Sequence, residues 1–268
     1  MGSPETWSTP SISRRMHAMS LESMDAATVR PLLRGRFGEP WLWHASCPST
    51  QDVLRTPGLP EGAVAVAEHQ TAGRGRLGRS WEDQPSLGIL VSVLLRPPVG
   101  AALPQLSLVT GLAVAETVEA ATGVGALVKW PNDVLVGPRK VAGILLEAAG
   151  DAVIAGIGVN VCQTAADLPE RPHTPATSLR LEAGRDVSRA AVLAALLDRL
   201  EGHYSEWLTS GLAPLLPALE ARNALRGRAA RAGEREGTVG TIVLDGRLEL
   251  RLAYGETLLV GSGEIELL

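Results

Sequence analysis

Arg74, Arg76 and Arg79 fall in one short stretch, Glu68-His69-Gln70-Thr71-Ala72-Gly73-Arg74-Gly75-Arg76-Leu77-Gly78-Arg79-Ser80-Trp81, interleaved with three glycines. Guanidinium groups offer planar forks of donors that suit phosphate and carboxylate, and glycine lets a backbone approach a ligand closely. The stretch reads as a loop that wraps an anionic small molecule. We read it as having the spacing of neither the P-loop nor the dinucleotide fingerprint G-x-G-x-x-G, and so as binding by a third route. Other residues able to do chemistry are Ser49-Thr50, Asn132-Asp133 after Pro131, and Lys140 after Gly137-Pro138-Arg139. Each also has a structural reading: a solvated basic loop, a helix cap, a turn, a hairpin charge. His44, His173 and His203 have no partner at catalytic spacing, and Cys47 and Cys162 form no CxxC pair.

The elements that must position these residues follow from periodicity. Residues 1–20 carry Ser, Thr, Pro, Met and Arg without a period and read as a disordered tail, and Ser23 to Leu33 can form a short helix. Trp41 to His44 reads as a strand, and Ser49 or Thr50 as the N-cap of a helix. Apolar runs at Ala63 to Glu68 and Leu87 to Leu95 are strands on either side of the arginine loop. Leu106, Val109, Leu112, Ala113 and Ala120 recur at helical spacing after Pro104. Val128 to Trp130, Val134 to Val136, Val141 to Leu146 and Ala152 to Val161 are further strands, the last two joined at Gly150-Asp151. Residues 163–178 read as a loop, Ala191 to Trp207 as the clearest helix, and Pro214 to Leu225 as a shorter one. After Arg226 the texture changes to short β runs at Gly237 to Leu244, Leu248 to Ala253, Thr257 to Val260 and Glu264 to Leu267, with Asp245-Gly246 as a hairpin signal. Strand follows strand with few helices between, which argues α+β with a mixed or antiparallel sheet.

With 268 residues, 45% of them hydrophobic, the chain can bury a large core. A net charge of −4 does not suggest non-specific nucleic-acid binding, so an anion site must be local. No apolar run approaches a transmembrane span and no signal peptide is legible, so a reduced cytoplasmic protein is the expectation.

Five motifs then stand in one order: Ser49-Thr50; Gln70-x-Ala72-Gly73-Arg74-Gly75-Arg76-x-Gly78-Arg79-x-Trp81; Lys129-Trp130-Pro131-Asn132-Asp133; Lys140-Val141-Ala142-Gly143-Ile144-Leu145-x-Glu147; and Gly156-Ile157-Gly158-Val159-Asn160. Together they resemble the biotin protein ligases, and Gln51 stands where that family usually has Asn. The resemblance implies a class II synthetase-like catalytic domain of the biotin/lipoate ligase fold over residues 37–224. It also implies a small SH3-like β-barrel over 225–268, behind an N-terminal tail and short helix over 1–36. It further implies that biotin and ATP, with Mg2+, form biotinyl-5′-AMP, whose biotinyl group passes to one lysine of a biotin carboxyl carrier domain. By the same resemblance Ser49, Thr50, Gln70, Gly73, Arg74, Arg76, Lys140 and Gly143 hold biotin. Arg76, Arg79, Trp81, Asn132, Lys140 and Asn160 serve the nucleotide, and Lys140, Arg76 and Asp133 are the catalytic candidates. The loop itself becomes a lid, mobile when empty and ordered over the adenylate. The first 36 residues are too few for a winged DNA-binding module, so no DNA partner is expected. A ligase of the same fold acting on lipoate or octanoate, and a non-catalytic nucleotide- or nucleic-acid-binding module using the arginine loop, are the other readings.

Overall fold

The computed structural model describes residues 22–98, 103–170 and 174–268. The tail expected over residues 1–20 lies outside them.

A seven-stranded sheet carries the chain from Trp41 to Asn160. Its strands are β1 (Trp41–His44), β2 (Val64–Ala67), β3 (Gly88–Leu95), β4 (Leu127–Lys129), β5 (Asp133–Val136), β6 (Arg139–Ala149) and β7 (Ala152–Asn160). They lie in the order β1-β2-β3-β7-β6-β5-β4. Only β1 and β2 pair in parallel; every other neighbour is antiparallel, so the sheet is mixed, one of the two arrangements the strand density left open. β2 and β3 are apolar without alternation because both faces of the sheet are covered there.

Two long helices, α3 (Leu103–Thr122) and α5 (Arg189–Ser210), share one core with the sheet face that carries Ile89, Val91, Val93 and Leu95. In α5 the buried Leu193, Leu196, Leu197, Leu200, Tyr204 and Trp207 form the stripe read from the sequence. Ser188 caps its first turn by accepting from the Ala191 N–H, and Gly211 (φ 66°) ends it. Helix α3 is buried nearly all round, and Thr110 and Thr117 return their hydroxyls to the Leu106 and Ala113 carbonyls, so neither is left unpaired. Ala120, placed on the apolar face by spacing, is exposed.

The opposite sheet face bears a smaller cluster, including Ala63, Ala65, Leu94 and Ile154, under the one-turn helix α2 (Thr50–Val53). The other short helices are α1 (Ala26–Val29), α4 (Leu179–Ala183) and α6 (Leu216–Ala221), the last shorter than its apolar run.

After α6 a five-stranded antiparallel sheet runs β11-β10-β9-β8-β12. Its strands are β8 (Ala229–Ala232), β9 (Arg235–Ile242), β10 (Leu248–Leu252), β11 (Thr257–Val260) and β12 (Glu266–Leu267). Strand β8 was not legible, since Ala-Ala-Arg-Ala has neither β-branching nor aromatics. Asp245-Gly246 does make the β9–β10 turn: Gly246 takes φ 87° and Asp245 accepts from the Arg247 N–H. That turn docks on the large sheet, where the Nε1–H of buried Trp130 donates to the Gly246 carbonyl over 3.0 Å. Trp130 is thus a packing residue between the two sheets.

Candidate functional site

On the α2 face of the large sheet, cross-strand register sets Ala65, Ser92, Gly156 and Leu145 in one row. The next row is Ala67, Leu90, Gly158, Gly143 and Asp133. Gly143, Gly156 and Gly158 leave a patch of sheet with no side chains. A cavity of about 690 Å³ opens above it, a size that suits a small-molecule site. The glycines are required by what lies on them. A Cβ at Gly158 would fall 2.4 Å from Cε2 of Trp81, one at Gly143 3.0 Å from Cζ3 of the same indole, and one at Gly156 2.8 Å from Cδ of Gln51.

One wall is hydrogen-bonded throughout. Ser49 caps α2 through the Gln51 N–H. Thr50 donates from its backbone N–H (2.7 Å) and from Oγ1 (3.0 Å) to Oε1 of Gln70. Thr50 Oγ1 also lies 2.8 Å from Oγ of Ser92, which is fully buried in the middle of β3. Gln51 donates from Nε2 to the Leu145 carbonyl. Gly73 lies where a Cβ would come within 2.6 Å of the Trp81 carbonyl and 3.2 Å of Gln70 Nε2. Motif reading missed Ser92; the available signal was one hydroxyl within an otherwise apolar strand.

The arginine loop is organised by its own backbone, with Gly75 N donating to Arg79 O over 2.7 Å and Trp81 N to Gly73 O over 3.0 Å. Gly73, Gly75 and Gly78 do stand at G-x-G-x-x-G spacing, contrary to the sequence reading. What separates them from a dinucleotide fingerprint is context, because the loop joins β2 to an antiparallel β3 and forms only a single 3-10 turn at Arg76–Gly78, with no α-helix opening at the glycines.

The three arginines have different partners. Arg74 is held by carboxylates: Nε and Nη2 donate to Glu147, and Nη1 and Nη2 donate to Asp52, all within 3.0 Å. Its fork is an anchor of the loop onto β6 and α2, with Arg55 completing the cluster at 2.7 Å from Glu147. Burial raises the Glu147 carboxyl, but hydrogen bonds from Arg74 and Arg55 outweigh it and hold the pKa below the ordinary glutamate value. The stability this contributes is therefore present above about pH 4.3 and is lost as pH falls through the lowered pKa. The melting-temperature deficit of Glu147→Gln against wild type is expected to be largest near neutrality and to shrink below about pH 4. A deficit that stays constant down a pH series would remove the charge from the explanation.

Arg76 donates from Nη1 to Asn132 Oδ1 (3.1 Å) and to the Gly263 carbonyl (3.5 Å), and Arg79 pairs with Glu264. Gly263 to Leu267 line the cavity, so the C-terminal segment forms part of its mouth. Asn132 is fixed in turn, donating from Nδ2 to the Ile144 carbonyl. Lys140 places Nζ 2.7 Å from Asp133 Oδ1 and 5.7 Å from the centre of the Trp81 ring. Asn160 is buried, and its Nδ2 holds the Thr177 carbonyl, tying the 174–177 segment beside β6. Every residue given a ligand-binding or catalytic role from the sequence except Gly73 lines this one cavity, and Gly73 abuts it through Gln70 and Trp81.

Known proteins resemble this chain in both sequence and fold. The sequence model of the biotin/lipoate A/B protein ligase family matches residues 43–162. A biotin–[acetyl-CoA-carboxylase] ligase of Paracoccus denitrificans is 41% identical over 187 residues, which cover 66% of this chain and 75% of that protein. The biotin protein ligase of Aquifex aeolicus, solved in complex with biotin and ATP, superposes with a TM-score of 0.78 at 33% identity, covering 85% of this chain and 97% of that one. The chain belongs to the biotin protein ligase family. A bifunctional ligase/repressor of Bacillus spizizenii is 39% identical over 177 residues, 64% of this chain, and the match spans only 54% of that longer relative. Within the match to the biotin/lipoate A/B protein ligase family lie the arginine loop, the glycine floor, Lys140 and Asn160, whereas Glu264 and the small sheet come after it. No helix among the described residues is long and apolar enough to cross a membrane.

Proposed function

We propose that this chain joins biotin and ATP to form biotinyl-5′-AMP and passes the biotinyl group to a lysine of a biotin carboxyl carrier domain, such as that of acetyl-CoA carboxylase. The observation that carries the reading is the gradient within one cavity. Neutral hydrogen-bonding groups, Thr50 and Gln70, stand at one wall, while Lys140 and Arg76 stand over the glycine floor. A bicyclic urea with an aliphatic tail suits the neutral wall, where Ser49, Gly73, Arg74 and Gly143 complete the surround. Its carboxylate then meets the cations together with the α-phosphate. A carboxylate oxygen attacks the α-phosphorus, the bond to the β-phosphate oxygen breaks, and pyrophosphate leaves. Lys140 and Arg76 offset the negative charge that these two anions bring together. The nucleotide takes Arg79, Trp81, Asn132 and Asn160 as its surround, which requires Arg79 to exchange Glu264 for phosphate. The acceptor amine then attacks the carbonyl carbon and AMP leaves, with Asp133 placed to accept a hydrogen bond from that amine.

Mg2+ enters in this scheme with ATP. Among the described residues no group of three or more His, Cys, Asp or Glu side chains could hold a metal ion, and magnesium commonly takes substrate phosphates as ligands. Residues 37–224 are assigned as the catalytic domain, and residues 225–268 as an SH3-like barrel that closes the mouth of the cavity. The loop acts as a lid that keeps water from the mixed anhydride.

Incubation with biotin, Mg·ATP and a purified biotin carrier domain is expected to release pyrophosphate and AMP and to add one biotinyl group to one lysine, read by intact mass and peptide mapping. Labelling by lipoate but not biotin would transfer the assignment to a lipoate ligase, and labelling by neither would overturn it.

A further inference from the structure

We infer that Ser92, which does not line the cavity, is a positioning residue for the ligand wall; this rests on the reading of the cavity as a biotin site. The argument is one of donors and acceptors. The backbone N–H of Thr50 can only donate, so the Gln70 atom 2.7 Å from it is the carboxamide oxygen, whichever way the amide is drawn. That same oxygen lies 3.0 Å from Thr50 Oγ1, and as it carries no proton, the hydroxyl of Thr50 donates to it. The single proton of Thr50 is thereby committed, so the 2.8 Å contact with Ser92 is made by the Ser92 hydroxyl donating. A directed chain results, Ser92 to Thr50 to Gln70 Oε1, across β3, α2 and the arginine loop.

Its effect falls on the other end of the amide. With Oε1 held by two donors, Nε2 of Gln70 is turned towards Gly73, 3.2 Å from where a Cβ would stand, with no hydrogen-bond partner among the described residues. The wall thus offers a ligand N–H donors at that point and is matched to a hydrogen-bond acceptor. The register supports the arrangement, since Ser92 is flanked across the sheet by Ala65 and Gly156, small enough to let Thr50 reach it. An alanine at position 92 would leave Thr50 Oγ1 without its donor and free its rotor, loosening the amide.

Steady-state kinetics on the full chain test this. Ser92→Ala is expected to raise half-saturating biotin about five- to tenfold, the scale of one buried hydrogen bond, while kcat and half-saturating ATP stay within about twofold. In a Thr50→Val background the same change is expected to add less than about twofold, because the chain is already cut. Ser92→Cys keeps a weak donor at similar volume and is expected to fall between serine and alanine. It carries the comparison if the alanine variant does not fold. An unchanged biotin requirement in Ser92→Ala, a fall in kcat instead, or a full additional effect in the Thr50→Val background would each overturn the relay while leaving the ligase reading intact. Wild-type protein that neither binds nor consumes biotin would overturn both.

Discussion

Lys140→Ala is expected to slow adenylate formation by about a thousandfold, the scale on which removing one preorganised charge or donor acts on a developing anion. Three features place the loss in the chemistry. The strand should survive, because the backbone of Lys140 is held twice by the 175–177 segment: its N–H donates to the Pro175 carbonyl and its carbonyl accepts from the Thr177 N–H. The neutral wall of Thr50 and Gln70 does not depend on Lys140, so biotin affinity should fall by less than about tenfold. Asp133, 2.7 Å from Nζ in the wild type, loses its cation and then faces the incoming carboxylate and phosphate with an uncompensated charge. Lys140→Ala/Asp133→Asn should accordingly be less impaired than Lys140→Ala alone. Pyrophosphate release in a single turnover, beside calorimetric titration with biotin, separates these quantities. Unimpaired adenylation would remove Lys140 from its proposed role, and a double variant no better than the single would remove repulsion by Asp133.

The second large effect is expected from one methyl group. Gly158→Ala would put its Cβ 2.4 Å from Cε2 and 2.6 Å from Cζ2 of Trp81, far inside van der Waals contact. Either β7 shifts, which its pairing with both β3 and β6 resists, or the indole leaves the floor. If Trp81 leaves and its backbone follows, it pulls on Gly73 through the 3.0 Å bond from the Trp81 backbone N–H to the Gly73 carbonyl, and Gly73 adjoins the Gln70 amide. Displacement on the order of 1 Å at a positioning group costs about a hundredfold, and that fall in kcat/KM is the expected result. Gly202→Ala is the control: position 202 lies in α5 with nothing within 4 Å of the added methyl, and alanine there should be neutral or mildly stabilising. Gly158→Ala retaining more than about half of wild-type kcat/KM would show that the floor need not be bare.

How much of this was legible in the sequence depended on how local each signal is. The β2 and β3 runs, the stripe of α5 and the Asp245-Gly246 turn were readable because hydrophobic period and turn chemistry act over a few residues. The arginine loop and Lys140 were readable as a site because their order along the chain matched a family. Strand β8 was not, since tertiary pairing overrides the weak propensity of its alanines.

Composition and order by themselves determined an α+β chain, its sheet mixed or antiparallel, with an anion-seeking arginine loop and a lysine to accompany it. Those are properties of residue types and their near neighbours, and they needed no coordinates. Only the tertiary structure decided which partner each arginine finds. Arg74, read as a ligand contact, finds Glu147 at a separation of 73 residues, and Arg79 finds Glu264 at 185. No spacing rule joins such distant positions. The role of the C-terminal segment was open in the sequence, and the fold sets Gly263 and Glu264 at the mouth of the cavity. The bare floor is likewise a matter of register, because Gly143 and Gly158 are ordinary glycines until pairing sets them side by side beneath Trp81.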